Sequence, residues 1–163
     1  MQNLQKIGAI GFGQMGSGIA QICAQTGYKT IVYDERKEAL IPTLNRLTSK
    51  LEELTEQNKF SAESLKNFKN NISVAERLED FSDCSLIVEA IIEKEESKIE
   101  LFATLDKLVQ KNCILASNTS SISITKLASA TSRPESFVGI HFMNPVPKMK
   151  LVEIIPGLNT SQE

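Results

Sequence analysis

Short apolar runs alternate with amphipathic stretches along most of the 163 residues. Lys6 to Ile10 reads as a short buried strand and Gly11 to Gly18 as a glycine-rich turn. Ile19, Ile22 and Cys23 recur at helical spacing, which predicts a helix over Ile19 to Thr26 with Gly27 as its stop. Lys29 to Tyr33, β-branched and apolar, reads as a second strand that ends at Asp34. In the polar region from Glu35 to Asn70, Leu40, Leu44, Leu47, Leu51 and Leu54 recur every three or four residues, giving a helix one apolar side. A second short helix is expected over Ala62 to Phe68. Further strands are expected at Ile72 to Ala75 and Leu86 to Ala90. Lys98 to Val109 then predicts an amphipathic helix with Ile99, Phe102, Leu105 and Leu108 on one face. Cys113 to Ala116 reads as a strand that runs into the polar turn Ser117 to Ser121. A short helix over Ser123 to Ala130 follows, then strands at Phe137 to Ile140 and Leu151 to Ile155. Between those last two lies a loop, Phe142 to Lys150, with Pro145 and Pro147.

Strands that alternate with helices imply a mainly parallel sheet with helices on both faces. The length suits one domain, residues 1–163, with a sizeable core. Composition narrows the class further: 41% hydrophobic and 23% charged residues is the balance of a globular chain. The net charge of −2, with no dense basic run, argues against a nucleic-acid or acidic-membrane partner. Cys23, Cys84 and Cys113 are too few and too dispersed for a disulfide framework or a zinc site, so no metal is expected. Each lies among apolar residues and reads as a buried free thiol. No signal peptide is expected at the start, and no apolar stretch approaches the roughly 20 residues that span a bilayer. A reducing, cytoplasmic setting follows as the expectation.

The chemistry begins at the turn. Gly11-Phe12-Gly13-Gln14-Met15-Gly16 fits G-x-G-x-x-G, and it follows a predicted strand and opens a predicted helix. The first glycine permits the tight turn, the second admits a pyrophosphate to the backbone, and the third lets helix and strand pack closely. Free N–H groups and the helix dipole favour negative charge there. Asp34 lies 18 residues after Gly16, where a carboxylate accepts hydrogen bonds from an adenosine ribose and repels a 2′-phosphate. NAD is therefore favoured over NADP, although Arg36 stands close by. The expected fold is α/β, a Rossmann-type doubly wound sheet.

Two further blocks are more specific than the turn. Ser117-Asn118-Thr119-Ser120-Ser121 and His141-Phe142-Met143-Asn144-Pro145-Val146-Pro147, followed by Lys150-Leu151-Val152-Glu153, closely resemble the L-3-hydroxyacyl-CoA dehydrogenase family. Ile7 to Gln21 and Val88-Glu89-Ala90 are similar to it as well. The resemblance implies His141 as catalytic base, Glu153 as the acid paired with it, and Ser120 as the serine beside the nicotinamide that contacts the substrate 3-oxygen. It implies Asn144 near the nicotinamide ribose, Asp34 at the adenosine ribose, and Glu93 and Lys98 lining the cofactor site. Gln14 and Met15 join Gly11, Gly13 and Gly16 as cofactor-binding positions. Lys94 departs from the family, which often has Asn there. Glu38 and Asn45 stand where some relatives carry a serine and a lysine that hold CoA. The resemblance also implies a second, all-helical domain that supplies dimerisation and part of the acyl pocket, and that domain is absent from these 163 residues. The parent protein is expected to be a homodimer through it.

Independently of family, a histidine suits proton removal from a secondary alcohol because it titrates near neutrality. His141 is the only histidine in the chain. A Ser120 hydroxyl can donate to a developing carbonyl oxygen. The expected reaction is reversible oxidation of a 3-hydroxyacyl-CoA, such as 3-hydroxybutyryl-CoA, by NAD in fatty-acid metabolism. Two alternatives stand beside it: a related hydroxy-acid dehydrogenase on the same fold, and a dinucleotide-binding module without turnover of its own.

Overall fold

Seven strands form one sheet in the computed structural model, which describes residues 4–162. In chain order the elements are β1 (Lys6–Ile10), α1 (Gln14–Gln25), β2 (Lys29–Tyr33), α2 (Lys37–Glu56), α3 (Ala62–Asn71) and β3 (Ile72–Val74). They continue with β4 (Leu86–Glu89), α4 (Glu95–Leu108), β5 (Ile114–Ser117), α5 (Ile124–Ala128), β6 (Phe137–Phe142) and β7 (Val152–Pro156). The strand order is β3-β2-β1-β4-β5-β6-β7. All pairings are parallel except β6 with β7.

The central strands read as nearly continuous apolar runs because both of their faces are covered. Successive side chains point to opposite faces. Ile10, Ile31, Ile87 and Leu115 join Phe102, Leu105 and Leu127 in a core beneath α4 and α5. There Phe102 and Phe137 meet edge to face, with ring centroids 4.6 Å apart. Ala9 and Val32 pack with Ala20 and Leu40 on the opposite face. Val88 and Ala116 pack with Ile19 and Val146 on that same side. Burial of each large side chain is worth about 1.5–3 kcal/mol, so the two layers fix the sheet between them.

Two helices begin earlier than their apolar spacing suggests. α1 starts at Gln14, not Ile19, so Gly16 and Gly18 are helical. Their missing side chains serve close packing: a Cβ on Gly18 would lie 2.8 Å from Val146 Cβ. The loop after β6 thus rests directly on α1. α4 starts at Glu95, not Lys98, with two acids in its first turn where the helix dipole favours them. Among the described residues no helix is long and apolar enough to cross a membrane.

The topology places the site. After β3, at one edge, the chain crosses back to set β4 beside β1. The connections from β1 and β4 therefore leave in opposite directions, and a crevice opens at the carboxyl ends of these two strands.

Candidate active site

Gly11 has φ +90°, the left-handed region that favours glycine. Its N–H donates to Tyr33 O at 2.8 Å, which joins the turn to the end of β2. Gly13 caps α1, and the first internal helical bond runs from Ser17 N–H to Gly13 O at 2.9 Å. The N–H groups of Gln14, Met15 and Gly16 therefore have no helical acceptor and point out of the helix end. A Cβ on Gly16 would lie 1.7 Å from Gly11 O, whereas a Cβ on Gly13 would meet nothing within 4 Å. The third glycine is required by the fold, and the second leaves open space over the helix end.

Asp34 is buried at the end of β2. Its carboxylate accepts Phe12 N–H at 2.7 Å and Arg36 N–H at 2.9 Å. It both faces the cleft and ties the turn in place. The Arg36 guanidinium lies 3.5 Å away and is largely exposed.

A cleft of about 940 Å³ runs along this edge, lined among others by Gly11, Gly13, Asp34, Arg36, Ile92 and Leu101. A smaller pocket of about 300 Å³ adjoins it, sharing Met15, Ala90 and Ile91. Glu93, Asn118, Ser120, His141 and Asn144 line that second pocket. The pair fits an elongated dinucleotide: the Asp34 carboxylate at one end, unpaired N–H donors and an open glycine in the middle, and a pocket edged by Glu93, Ser120 and His141 at the other.

His141, on the wall of the smaller pocket, faces Glu153 across β6 and β7. His141 Nδ1 and Glu153 Oε2 are 2.8 Å apart. A carboxylate can only accept, so Nδ1 carries a proton, and in the neutral imidazole Nε2 is the atom with the lone pair. Asn118 Oδ1 accepts Phe142 N–H at 2.9 Å, which ties the end of β6 to the turn after β5. Gln14 Nε2 donates to Asn144 Oδ1 at 3.2 Å, linking the α1 end to the loop after β6.

Ser120 is exposed, and its N–H donates to Glu93 Oε1 at 3.0 Å. The Thr119 hydroxyl donates to the same oxygen. Burial acts to raise the Glu93 carboxyl, but donors from Thr119, Lys98 and Ser120 outweigh it and hold the group below its ordinary value. Glu93 lines the pocket, and Lys98 lies behind it. Lys98 is wholly buried, with Nζ 2.6 Å from Glu89 Oε1 and 3.1 Å from Glu93 Oε2. It meets the pocket only through Glu93, because α4 begins a turn before it and carries it under the sheet ends.

Two residues had no assigned role in the sequence. Glu89, fully buried at the end of β4, accepts from Lys98, Ile91 N–H and the Ser117 hydroxyl. Its visible signal was an acid closing the apolar run Leu-Ile-Val. Thr119 gave none, since it sits in a run of hydroxyl residues that all suit turns.

Strand order and glycine turn together make this a Rossmann-type dinucleotide-binding domain. The sequence profile of the family "3-hydroxyacyl-CoA dehydrogenase, NAD binding domain" matches residues 6–163, and the chain belongs to that family. Its cofactor is accordingly NAD. A probable 3-hydroxybutyryl-CoA dehydrogenase of Deinococcus radiodurans is 47% identical over 158 residues, which are 97% of this chain and 56% of that protein. The mitochondrial hydroxyacyl-coenzyme A dehydrogenase of Rattus norvegicus is 38% identical over 98% of this chain and 53% of its own length. The crystal structure of (S)-3-hydroxybutyryl-CoA dehydrogenase from Ralstonia eutropha matches with a TM-score of 0.92 and 38% identity. That match covers 98% of this chain and 56% of the other. The chain spans about half the length of these relatives.

Proposed function

We propose that this chain is the cofactor-holding, base-bearing part of an enzyme that oxidises L-3-hydroxyacyl-CoA, for example 3-hydroxybutyryl-CoA, reversibly to 3-oxoacyl-CoA. The observation that carries this reading is His141, on the wall of the pocket that continues the dinucleotide cleft, with Glu153 Oε2 2.8 Å from its Nδ1. Bound NAD supplies the two-electron acceptor. The unpaired N–H groups at the start of α1 hold its pyrophosphate, and Asp34 receives the adenosine ribose. His141 Nε2 takes the proton of the 3-hydroxyl, and Glu153 fixes the tautomer and stabilises the imidazolium that forms. The Ser120 hydroxyl donates to the oxygen as it becomes a carbonyl. In the reverse direction His141 returns the proton.

The rest of the enzyme belongs to the same proposal. Met149, Leu151, Ile154 and Leu158 are large, apolar and exposed on or beside β7. A helical domain seated there completes the acyl pocket and joins two subunits into a homodimer. The three cysteines are free, as suits a reducing cytoplasmic compartment.

The test combines titration with NADH and an acetoacetyl-CoA assay read by loss of NADH absorbance. The 163 residues alone should bind NADH and turn over slowly or not at all. In the full-length enzyme His141→Gln should leave NADH affinity intact and lower turnover by about 10²–10⁴. Near-normal turnover by that variant would overturn the assignment of the base.

A further inference from the structure

The end of β4, the loop after it and α4 carry a charge cluster in which one ammonium serves two carboxylates. Glu89 and Lys98 have no exposed side-chain surface, and Glu93 is 40% exposed. Ser117 Oγ donates to Glu89 Oε2 at 2.6 Å and Ile91 N–H to Oε1 at 2.7 Å. Every oxygen of the buried acid is thus occupied, and among the described residues no buried side-chain polar atom lacks a partner. Stability is a poor account of such a cluster, because apolar residues of similar volume commonly do as well or better in its place. Its charge does not cancel: two carboxylates and one ammonium leave one negative charge in excess.

That excess has a single outlet. Glu93 is the cluster's only member on the pocket wall, where it stands with Ser120, Asn144 and His141. His141 is the one other ionisable side chain lining that pocket among the described residues. The oxidised nicotinamide ring is a cation and the reduced ring is neutral. A negative cluster sealed from water on one side interacts with the first and not with the second, and burial protects that interaction from salt.

We propose that the Glu89–Lys98–Glu93 cluster sets the redox preference of the site, favouring oxidised over reduced cofactor by its net negative charge. This rests on the reading that the nicotinamide lies at the Ser120 end of the cleft. Glu89 is then a positioning residue: it touches no cofactor, but it anchors Lys98 and supplies the charge that leaves the cluster negative.

The experiment titrates the chain with NAD⁺, NADH and ADP-ribose, which lacks the ring, in wild type, Glu89→Gln and Glu93→Gln. Each variant should lower NAD⁺ affinity relative to NADH by at least about threefold, as one unit charge in a partly screened setting requires. ADP-ribose affinity should stay at its wild-type value. An unchanged NAD⁺ to NADH ratio in the variants overturns the proposal while leaving the proposed function standing. Equal loss for all three ligands overturns it too, since that is collapse of the cradle. If Glu89→Gln does not fold, Glu93→Gln decides by the same criterion, for it leaves the buried pair intact. Wild-type chain that binds none of the three overturns the placement of the cofactor, and this proposal with it.

Discussion

Gly13→Ala and Gly16→Ala each add one methyl to the same turn, and they should fail in opposite ways. At Gly16 the new Cβ arrives 1.7 Å from Gly11 O and 2.9 Å from the Gly11 carbonyl carbon. No rotamer change relieves a clash with backbone, so α1 and the end of β1 must separate by roughly 2 Å to regain van der Waals contact. Overpacking costs about 1–3 kcal/mol even where side chains can yield, and here the upper figure applies. The better helix propensity of alanine offsets up to about 1 kcal/mol, leaving a net loss of about 2 kcal/mol. For a domain of this size that lowers Tm by about 4–8 °C. At Gly13 the backbone is extended, with φ −76° and ψ −160°, and the Cβ meets nothing within 4 Å. Reduced freedom of the unfolded chain and a weaker N-cap roughly cancel there, so stability should change by less than about 1 kcal/mol. In the proposed binding mode the methyl nevertheless stands where the pyrophosphate approaches the helix, and NADH affinity should fall at least about tenfold. Thermal melts and NADH fluorescence titrations separate the two effects. Wild-type NADH affinity in Gly13→Ala would refute the placement of the pyrophosphate, and a wild-type melt of Gly16→Ala would refute the packing argument.

Lys98→Met strands Glu89 in the interior without its cation, and should cost about 3–5 kcal/mol in chemical denaturation. An unchanged midpoint would sink that reasoning. Burial acts to raise the Asp106 carboxyl, but donors from Ser132 and Arg133 outweigh it and hold the group below its ordinary value. The stability it lends is complete above the usual carboxylate range near about 4 and is lost as pH falls through the lowered value. Asp106→Asn should therefore flatten the fall of Tm in that acid range, and an equally steep fall counts against it. Burial pushes the Cys84 and Cys113 thiols up to about 12 and Cys23 to about 11. A thiol reagent near neutral pH should leave Cys84 and Cys113 unmodified until denaturant is added, and prompt native labelling of either would contradict their burial.

The strands were legible because a sheet covered on both faces writes itself as apolar runs. The starts of α1 and α4 were not, whereas α3 begins at Ala62 as its pattern indicates. The first turn of α1 is dominated by the needs of the glycine turn, so propensity and apolar spacing pointed five residues too late. The first turn of α4 is Glu95-Glu96-Ser97, which carries no apolar face to count. The pairing of His141 with Glu153 was within reach, since a short connection between two strands brings residues near each other. The burial of Lys98 behind Glu93 was not legible, because spacing fixes a side chain's face and not its depth. Glu89 shows the same limit from the other side: an acid closing an apolar strand marks a special position without saying what it binds.

β7 is exposed at every residue and pairs with β6 alone. Its far end is tied down, for the Thr160 hydroxyl donates to Phe137 O at 2.6 Å and Leu158 N–H to Thr125 Oγ1 at 2.9 Å. The near end, which carries Glu153, follows the exposed stretch from Lys148 to Leu151, and among the described residues its side-chain hydrogen bond runs only to His141 of the neighbouring strand. Opening free energies are therefore uneven across the molecule, and fraying begins where Glu153 sits. Amide exchange should be fast at Glu153 and slow at Ala9 and Ile10, which lie in the middle of the sheet. Local opening of that strand end parts the acid from the histidine while the glycine turn stays closed. In the proposed function, cofactor capture and proton transfer thus draw on two different reserves of stability, and whatever settles on β7 lengthens the time that the His141–Glu153 pair is assembled.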